Sequence, residues 1–350
     1  MDPMKKMYMK IVFVLGTVLL LQAAAVAQSK VGTTAAQFLG NPVGAKALAM
    51  GSAFVASNED VSTIYWNPGA FVQADKSEFN FTNSEWLVGT KFRWFGLMFN
   101  FDSENAIGIT MTQLDYGEED VNTVESPEGT GEKWSANDFA AGISYARRLT
   151  DKFSIGGTVK YVSQRIWNES ASNITFDAGL LFITDFNGMR LGMSMSNFGG
   201  DLTLDGRDLL VPIDENPQYA GANKTLVGKK KTESWPMPLL FRVGVAMDVI
   251  KDETIKATVA VDALRPSDNN EAVNVGAEIS WQQMLFARAG YKALFSSEPP
   301  LAKTLQQDGL TFGAGVKYGL QGIAALEVNY ALTQFGLFGD LNTIAVSINF

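Results

Sequence analysis

From about residue 76 onward, apolar side chains recur at every second position, and this alternation is repeated in segment after segment. In one segment Phe153, Ile155 and Tyr161 alternate with small or polar residues, and another such run ends at the last residue, Phe350. A period of two is typical of β-strands whose two faces meet different surroundings. The chain beyond residue 75 is therefore predicted to be all-β.

The polar faces of these strands distinguish between two all-β folds. In a soluble sandwich the outer face is crowded with charged residues, and glycine is rare inside strands. Here the polar faces carry mainly Gly, Ala, Ser, Thr and Asn, with isolated charges such as Lys160, Asp177 and Arg242. Aromatic residues lie toward the ends of several apolar faces, as in the girdles of membrane barrels. The pattern favours a transmembrane antiparallel β-barrel, with a soluble sandwich as the alternative.

The number of strands and the lengths of their connections support the barrel. An even number, here about 14, lets a barrel close with both chain ends on the periplasmic side. Connections after even-numbered strands are short, whereas most of those after odd-numbered strands are long, as expected for periplasmic turns and outer loops. The predicted strands are 77–87, 89–101, 104–116, 136–148, 152–166, 172–186, 188–198, 238–250, 254–264, 272–281, 284–294, 309–319, 322–333 and 341–350.

The first 27 residues have the composition of a targeting segment. Lys5, Lys6 and Lys10 precede the apolar run 11–21, and Ala25-Val26-Ala27 forms a small-x-small cleavage site. This order is typical of a secretory signal peptide. The alternative, an N-terminal membrane anchor, needs a longer apolar run. Residues 1–27 are therefore predicted to be removed on export, and the mature chain to begin near residue 28.

Composition excludes most catalytic chemistry. The 350 residues include no His and no Cys, so the chain holds no Ser-His-Asp or Cys-His nucleophile system, no disulfide and no His/Cys zinc site. The formal net charge of -9 becomes -11 once the signal peptide removes three Lys and one Asp. An acidic chain is poorly suited to nucleic acid, because phosphate binding relies on clustered Lys and Arg. We therefore expect no enzyme activity, no cofactor, no metal site and no nucleic-acid partner.

Residues 28–75 differ in amino-acid composition from the predicted strands. The run 44–56 is rich in Gly and Ala, which allows its backbone to approach neighbouring elements closely. Asn67-Pro68-Gly69 is predicted to form a turn, because Pro fixes φ and Gly accepts a positive φ. This composition suits a plug inside the barrel or a periplasmic extension. The predicted organisation is a signal peptide (1–27), an N-terminal hatch or plug segment (28–75) and an outer-membrane β-barrel (76–350).

The run from Gly44 to Ala56, followed by Tyr65-Trp66-Asn67-Pro68, resembles the opening motif of the PorV/PorQ family of outer-membrane proteins, which is related to the FadL fatty-acid transporters. Family members usually have two glycines where this chain has Gly51-Ser52. Further similar stretches lie at 142–146, 190–199 and 288–292, so the resemblance extends over nearly the whole mature chain. The motif residues are Gly44, Ala45, Ala49, Met50, Gly51, Ala53, Phe54, Tyr65, Trp66, Asn67 and Pro68.

The resemblance implies a fourteen-stranded, FadL-like barrel in the outer membrane of a Gram-negative bacterium, with the N-terminal segment folded into the lumen as a hatch. Some members serve the type IX secretion system of Bacteroidetes, where a PorV-type barrel receives cargo from the translocon and passes it to the surface attachment machinery. We therefore expect a non-enzymatic carrier that contacts outer-membrane lipids or lipopolysaccharide, translocon and cargo proteins. The alternatives are a FadL-like channel that holds a hydrophobic ligand in its lumen, and a scaffold for partner proteins.

Two further features are candidates for function. The long connection 199–237 carries apolar and aromatic residues at an exposed location, where partners dock, although these residues could equally fold the loop over the barrel mouth. The C-terminal strand ends at Phe350, and C-terminal aromatic strands resemble the signal that the outer-membrane assembly machinery reads. The candidate docking residues are Leu209, Leu210, Tyr219 and Trp235.

Overall fold

The computed structural model describes residues 31–74, 76–214, 218, 226–293, 309–320 and 324–350, so the predicted signal peptide lies outside the described residues. Fourteen antiparallel strands form one closed barrel, because the first strand pairs with both the second and the last. The predicted barrel is thereby confirmed, and the sandwich is excluded. The barrel strands are β1 (Glu78–Glu85), β2 (Lys91–Asn100), β3 (Asn105–Asp120), β4 (Lys133–Thr150), β5 (Phe153–Ile166), β6 (Glu169–Ile183), β7 (Arg190–Gly199), β8 (Leu240–Lys251), β9 (Ile255–Pro266), β10 (Ala272–Trp281), β11 (Leu285–Tyr291), β12 (Leu310–Leu320), β13 (Ala324–Gln334) and β14 (Asp340–Asn349).

The remaining elements are short. Two α-helices, α1 (Ala45–Ala49) and α2 (Thr63–Trp66), lie in the N-terminal segment. Within the described ranges no helix is long and apolar enough to cross a membrane. In the described parts of the chain the other elements are 3-10 turns at Gln37–Gly40, Phe71–Gln73, Leu87–Gly89, Arg207–Leu209 and Gly336–Phe338, and loop strands at Leu202–Thr203, Asp205–Gly206, Leu210–Pro212, Val227–Lys229 and Ser234–Trp235.

The barrel strands turn their apolar faces outward. In β5, Ile155 and Tyr161 are 41% and 49% exposed, whereas Ser154 and Thr158 on the other face are buried in the lumen. The apolar positions of the period-two pattern therefore form the lipid-facing surface, and the small and polar positions form the lumen wall, as the sequence predicts.

The outward assignment of β8 can be tested at Val245, which is 38% exposed while its neighbour Ala246 is buried. An arginine near the bilayer midplane is poorly solvated, so Val245→Arg is expected to lower the free energy of unfolding by about 2 to 4 kcal/mol. The matched variant Val245→Leu should leave the stability nearly unchanged. A urea titration of protein refolded into lipid vesicles measures both values, and equal stabilities would contradict this assignment.

Connections follow the predicted alternation of short and long only in part, because the outer connections 86–90, 267–271 and 335–339 have only five residues each. The turns 101–104, 151–152 and 252–254 are short and define the periplasmic end, whereas the connections 121–132 and 200–239 are long. The connection between β5 and β6, however, has only two residues, because the two strands remain paired as far as Ile166 and Glu169. The outer ends of these strands thus extend as a hairpin beyond the predicted boundary at residue 172.

Residues 31–74, which we call the hatch, run through the barrel lumen. At the outer end the backbone N–H of Ala35 donates to the carbonyl of Pro236 (2.9 Å), and the Thr34 hydroxyl donates to Asp268 (2.7 Å). At the periplasmic end the amide of Asn100 donates to the carbonyl of Ala74 (2.7 Å). Of the two placements that composition allows for this segment, the structure therefore shows the plug.

Candidate functional site

Because glycines on the lumen wall have no side chain, the hatch packs directly against the strands at these positions, which we call the glycine seats. A Cβ on Gly156 would lie 2.0 Å from the carbonyl oxygen of Pro68, and one on Gly276 would lie 2.2 Å from that of Met50. These distances are far below van der Waals contact, so only glycine permits the observed approach. The seating glycines are Gly156, Gly179, Gly192, Gly276, Gly290 and Gly313.

Polar side chains of the wall satisfy the hatch backbone. The Asp262 carboxylate in β9 accepts the N–H groups of Phe54 (2.6 Å) and Val55 (2.8 Å). The Thr311 hydroxyl in β12 donates to the carbonyl of Ala49 (2.9 Å) and accepts the N–H of Gly51 (2.9 Å). Short helices and turns leave many backbone groups without internal partners. The wall supplies those partners and so fixes the path of the hatch.

Asn67 of the predicted turn joins the hatch to itself and to the wall. Its side-chain amide donates to the carbonyls of Val55 (2.9 Å) and Leu180 in β6 (2.8 Å), and its side-chain oxygen accepts the N–H of Gly69 (3.0 Å). The neighbouring Trp66 indole donates to the carbonyl of Val43 (3.0 Å). Both residues therefore act as internal braces of the hatch.

The structure brings the eleven motif residues together in the lumen. All are buried except Tyr65, which is half-buried. The Trp66 and Phe54 rings pack edge to face with centroids 6.4 Å apart. The guanidinium of Arg242 in β8 lies 5.2 Å from the Tyr65 and Trp66 ring centroids, a cation–π arrangement. The aromatic pair of the motif thus packs around a buried cation of the wall.

A charge cluster near the periplasmic end was not singled out from the sequence. The Glu59 carboxylate of the hatch contacts the Lys46 ammonium and lies 2.6 Å from that of Lys256 in β9. Burial alone would raise the pKa of Glu59, but these two cations lower it well below its ordinary value. Glu59 therefore stays ionised at neutral pH and links the hatch electrostatically to the wall.

The outer mouth of the barrel holds a pocket of about 370 Å³ at the outer ends of β3, β4 and β5. Asp138 forms part of its lining and is buried, with its carboxylate accepting hydrogen bonds from the Tyr116 hydroxyl (2.8 Å) and the Gln164 amide (3.0 Å). Leu204, from the long outer connection, also lines the pocket. We call this cavity the mouth pocket.

The candidate docking residues lie in the long outer connection, but not at equal exposure. Leu210 and Trp235 are exposed and Leu209 is half-buried, whereas Tyr219 lies outside the described residues. Trp235 pairs in a short two-stranded ladder with Leu202. At the other end of the barrel, the exposed C-terminal Phe350 donates its backbone N–H to the carbonyl of Ser77 (2.9 Å). The docking and assembly roles of these residues stay predictions.

The wall residues that contact the hatch could not be predicted from the sequence. Gly156, Gly276, Asp262 and Thr311 occur in strands, and alternation assigns them only to the lumen face. Their pairing with particular hatch atoms depends on barrel register across some 200 residues, which no local pattern encodes. The available signal is the frequency of glycine on polar strand faces, since a lumen that closely contacts another backbone needs it.

The family model described as type IX secretion system protein PorV matches residues 24–207, more than half of the chain. This chain belongs to the PorV family. The family match confirms the resemblance drawn from the motif residues. Comparison with curated protein sequences finds no match.

The barrel of this PorV family member is similar to several crystal structures. The Pseudomonas putida toluene transporter TodX shows a TM-score of 0.54 at 14% identity, and the Ralstonia pickettii toluene transporter TbuX 0.52 at 12%; each comparison covers 88% of this chain and 97% of the other. A Pseudomonas aeruginosa FadL homologue shows 0.50 at 11%, covering 88% and 98%. At such identities the likeness establishes a shared FadL-like barrel fold, which together with the family places the chain in the outer membrane.

Proposed function

We propose that this protein is a non-enzymatic carrier in type IX-like protein secretion, which receives cargo at the outer membrane and passes it to the attachment machinery. The observation that carries the proposal is the way the hatch fills the lumen. Glycine seats, Asp262 and Thr311 hold its backbone, and the Phe54, Trp66 and Phe71 side chains are almost wholly buried. A barrel filled in this way suits a rigid platform that binds partners on its outer connections.

The outer connection 200–239 offers the surface such a carrier needs. Leu210, Val227 and Trp235 expose large apolar side chains there, outside the predicted lipid-facing band. Exposed aromatic and aliphatic anchors are enriched at protein interfaces, where a few of them supply most of the binding energy. We therefore assign cargo and attachment partners to this face of the protein.

A FadL-like channel for hydrophobic compounds is the second candidate. It is favoured by the fold shared with the two toluene transporters. In that role the hatch has to leave an apolar path through the lumen. Its packing against the glycine seats and its hydrogen bonds to the wall would therefore have to break during transport. Channel and carrier therefore differ in whether function depends on the hatch or on the outer connection.

Trp235→Ala is expected to weaken recovery of cargo and attachment partners by at least about tenfold, because a central aromatic anchor is worth about 2 kcal/mol or more. The measurement is affinity purification from detergent-solubilised outer membranes followed by quantitative mass spectrometry. Trp281→Ala is the matched control, since Trp281 is 49% exposed against 46% for Trp235 but lies at the periplasmic end of β10.

The same strains are tested for uptake of a hydrophobic fluorescent probe, alongside the hatch variant Ala53→Leu. Loss of partners with Trp235→Ala, at unchanged probe uptake, supports the carrier. The carrier would be overturned, and the channel favoured, by two results. The double variant Trp235→Ala/Leu210→Ser would recover its partners in full, and the hatch variant Ala53→Leu would change probe uptake.

A further inference from the structure

The mouth pocket contains a buried carboxylate with an unusual set of partners. Asp138 is 5% exposed, and both its hydrogen-bond donors, Tyr116 and Gln164, are neutral. Within the described part of the chain, no Lys or Arg nitrogen forms an ion pair with it. A carboxylate has about four acceptor sites, so two hydrogen bonds leave capacity for a further donor.

Several other carboxylates of the lumen wall are paired with a cation within the protein. Asp177 lies 2.8 Å from the Lys160 ammonium, and Asp248 lies 3.1 Å from the Arg190 guanidinium. Buried charges are costly unless they are paired. Among the described residues Asp138 has no such cation, and unlike Asp262, whose carboxylate accepts two hatch N–H groups, it lines a pocket at the outer mouth, so a cation from outside can complete its environment.

The walls of the mouth pocket suit a cation carried on an apolar stem. Trp134, Tyr116, Ile166 and Leu204 contribute aromatic and aliphatic surface, and Glu119 adds a second carboxylate to the lining. Lysine and arginine bury their methylene stems against apolar surface and direct their charged ends to carboxylates or aromatic faces. The one cationic residue of the lining, Arg165, donates its Nε–H to the carbonyl of Trp167 (3.0 Å).

We propose that the mouth pocket binds a lysine or arginine side chain of a polypeptide docked at the outer face of the barrel, with Asp138 as its counter-ion. The proposal rests on the proposed carrier function in naming a polypeptide as the source of that side chain. The pocket is also connected to the hatch, because the side-chain oxygen of its lining residue Gln164 accepts the N–H of Ala36 (2.9 Å). The pocket thereby connects the docking face with the first residues of the hatch.

The absence of cysteine from the chain allows a direct test. Ala136→Cys places a single thiol in the lining of the mouth pocket. In detergent-solubilised, folded protein, the ratio of the modification rate with cationic trimethylammonioethyl methanethiosulfonate to that with anionic sulfonatoethyl methanethiosulfonate is expected to be about tenfold higher than the same ratio for a free small-molecule thiol, because the carboxylate attracts the cation. Adding Asp138→Asn should abolish most of this preference, whereas Asp138→Glu should retain it.

Asp115→Asn is the matched control, because Asp115 lies on the outward face of β3 beside Arg93 (3.7 Å) and should not affect the preference. A blocked peptide with one lysine should protect the thiol, and the same peptide with acetyl-lysine should not. Equal protection by both peptides, or a charge preference that survives Asp138→Asn, would overturn the pocket assignment. Neither result depends on partner recovery from cells, so failure of the pocket and failure of the carrier function are measured separately.

Discussion

Gly156→Val is expected to displace the hatch from its seat and to lower the free energy of unfolding by at least about 3 kcal/mol, the upper end of what overpacking costs. The added Cβ would lie 2.0 Å from the carbonyl oxygen of Pro68 and 2.7 Å from its carbonyl carbon. These are backbone atoms, so no side-chain rotation relieves the overlap. The turn itself is held by Asn67 and by the Ser154 hydroxyl, which donates to the carbonyl of Gly69 (2.7 Å).

Gly157→Val is the matched control, because the next residue of β5 faces the lipid. A Cβ on Gly157 would lie 3.2 Å from the Asp177 carbonyl, a tight contact that a small strand adjustment removes. Urea titrations of both variants in lipid vesicles give the two free energies. A thiol at Ala53→Cys, in the buried hatch, reports displacement directly by its rate of modification. If the two valine variants were equally stable, the hatch would not be seated on Gly156.

Much of the barrel could be predicted because the bilayer imposes a strict rule on its strands. Lipid on one side and a lined lumen on the other require alternation, and alternation gave both the number of strands and the inward or outward direction of each residue. The prediction for the last strand, 341–350, differs by one residue at each end from the observed Asp340–Asn349. In β3 the alternation stops before the strand does, because the strand continues through Glu118, Glu119 and Asp120. There the sheet projects beyond the apolar band and polar side chains replace the alternation.

The hatch site was less predictable, because its contacts join residues that are distant in the chain. Small residues in the run 44–56 indicated close packing without naming a partner. Asp262 reaches Phe54 only because β9 and the hatch meet in the closed barrel. The same holds for Asp138, whose lack of a cationic partner among the described residues appears only once neighbouring strands are in register.

Arg288→Met is expected to lower the free energy of unfolding by about 3 kcal/mol, the lower end of the cost of breaking a buried ion pair, because it leaves the Glu278 carboxylate with only the longer contact to Lys46 (3.9 Å). Arg288 in β11 is fully buried, with its Nε 2.5 Å from the Glu278 carboxylate and its Nη1 2.6 Å from the Asn329 side-chain oxygen. Its Nη2 lies 3.8 Å from Glu327. Methionine fills a similar volume, so the expected loss is one of charge rather than packing.

The double variant Arg288→Met/Glu278→Gln should recover most of this loss, because a neutral amide then replaces the carboxylate that has lost its arginine. Arg265→Met is the surface control: its pair with Glu271 (3.4 Å) is exposed, and such pairs contribute less than about 1 kcal/mol. Chemical denaturation of the unaltered protein, Arg288→Met, Glu278→Gln and the double variant in the same vesicles gives the coupling energy. An effect of Arg288→Met as small as that of Arg265→Met would mean that water screens the lumen charges. The lumen would then be hydrated beside the hatch, and the filled, rigid platform on which the carrier proposal depends would be lost.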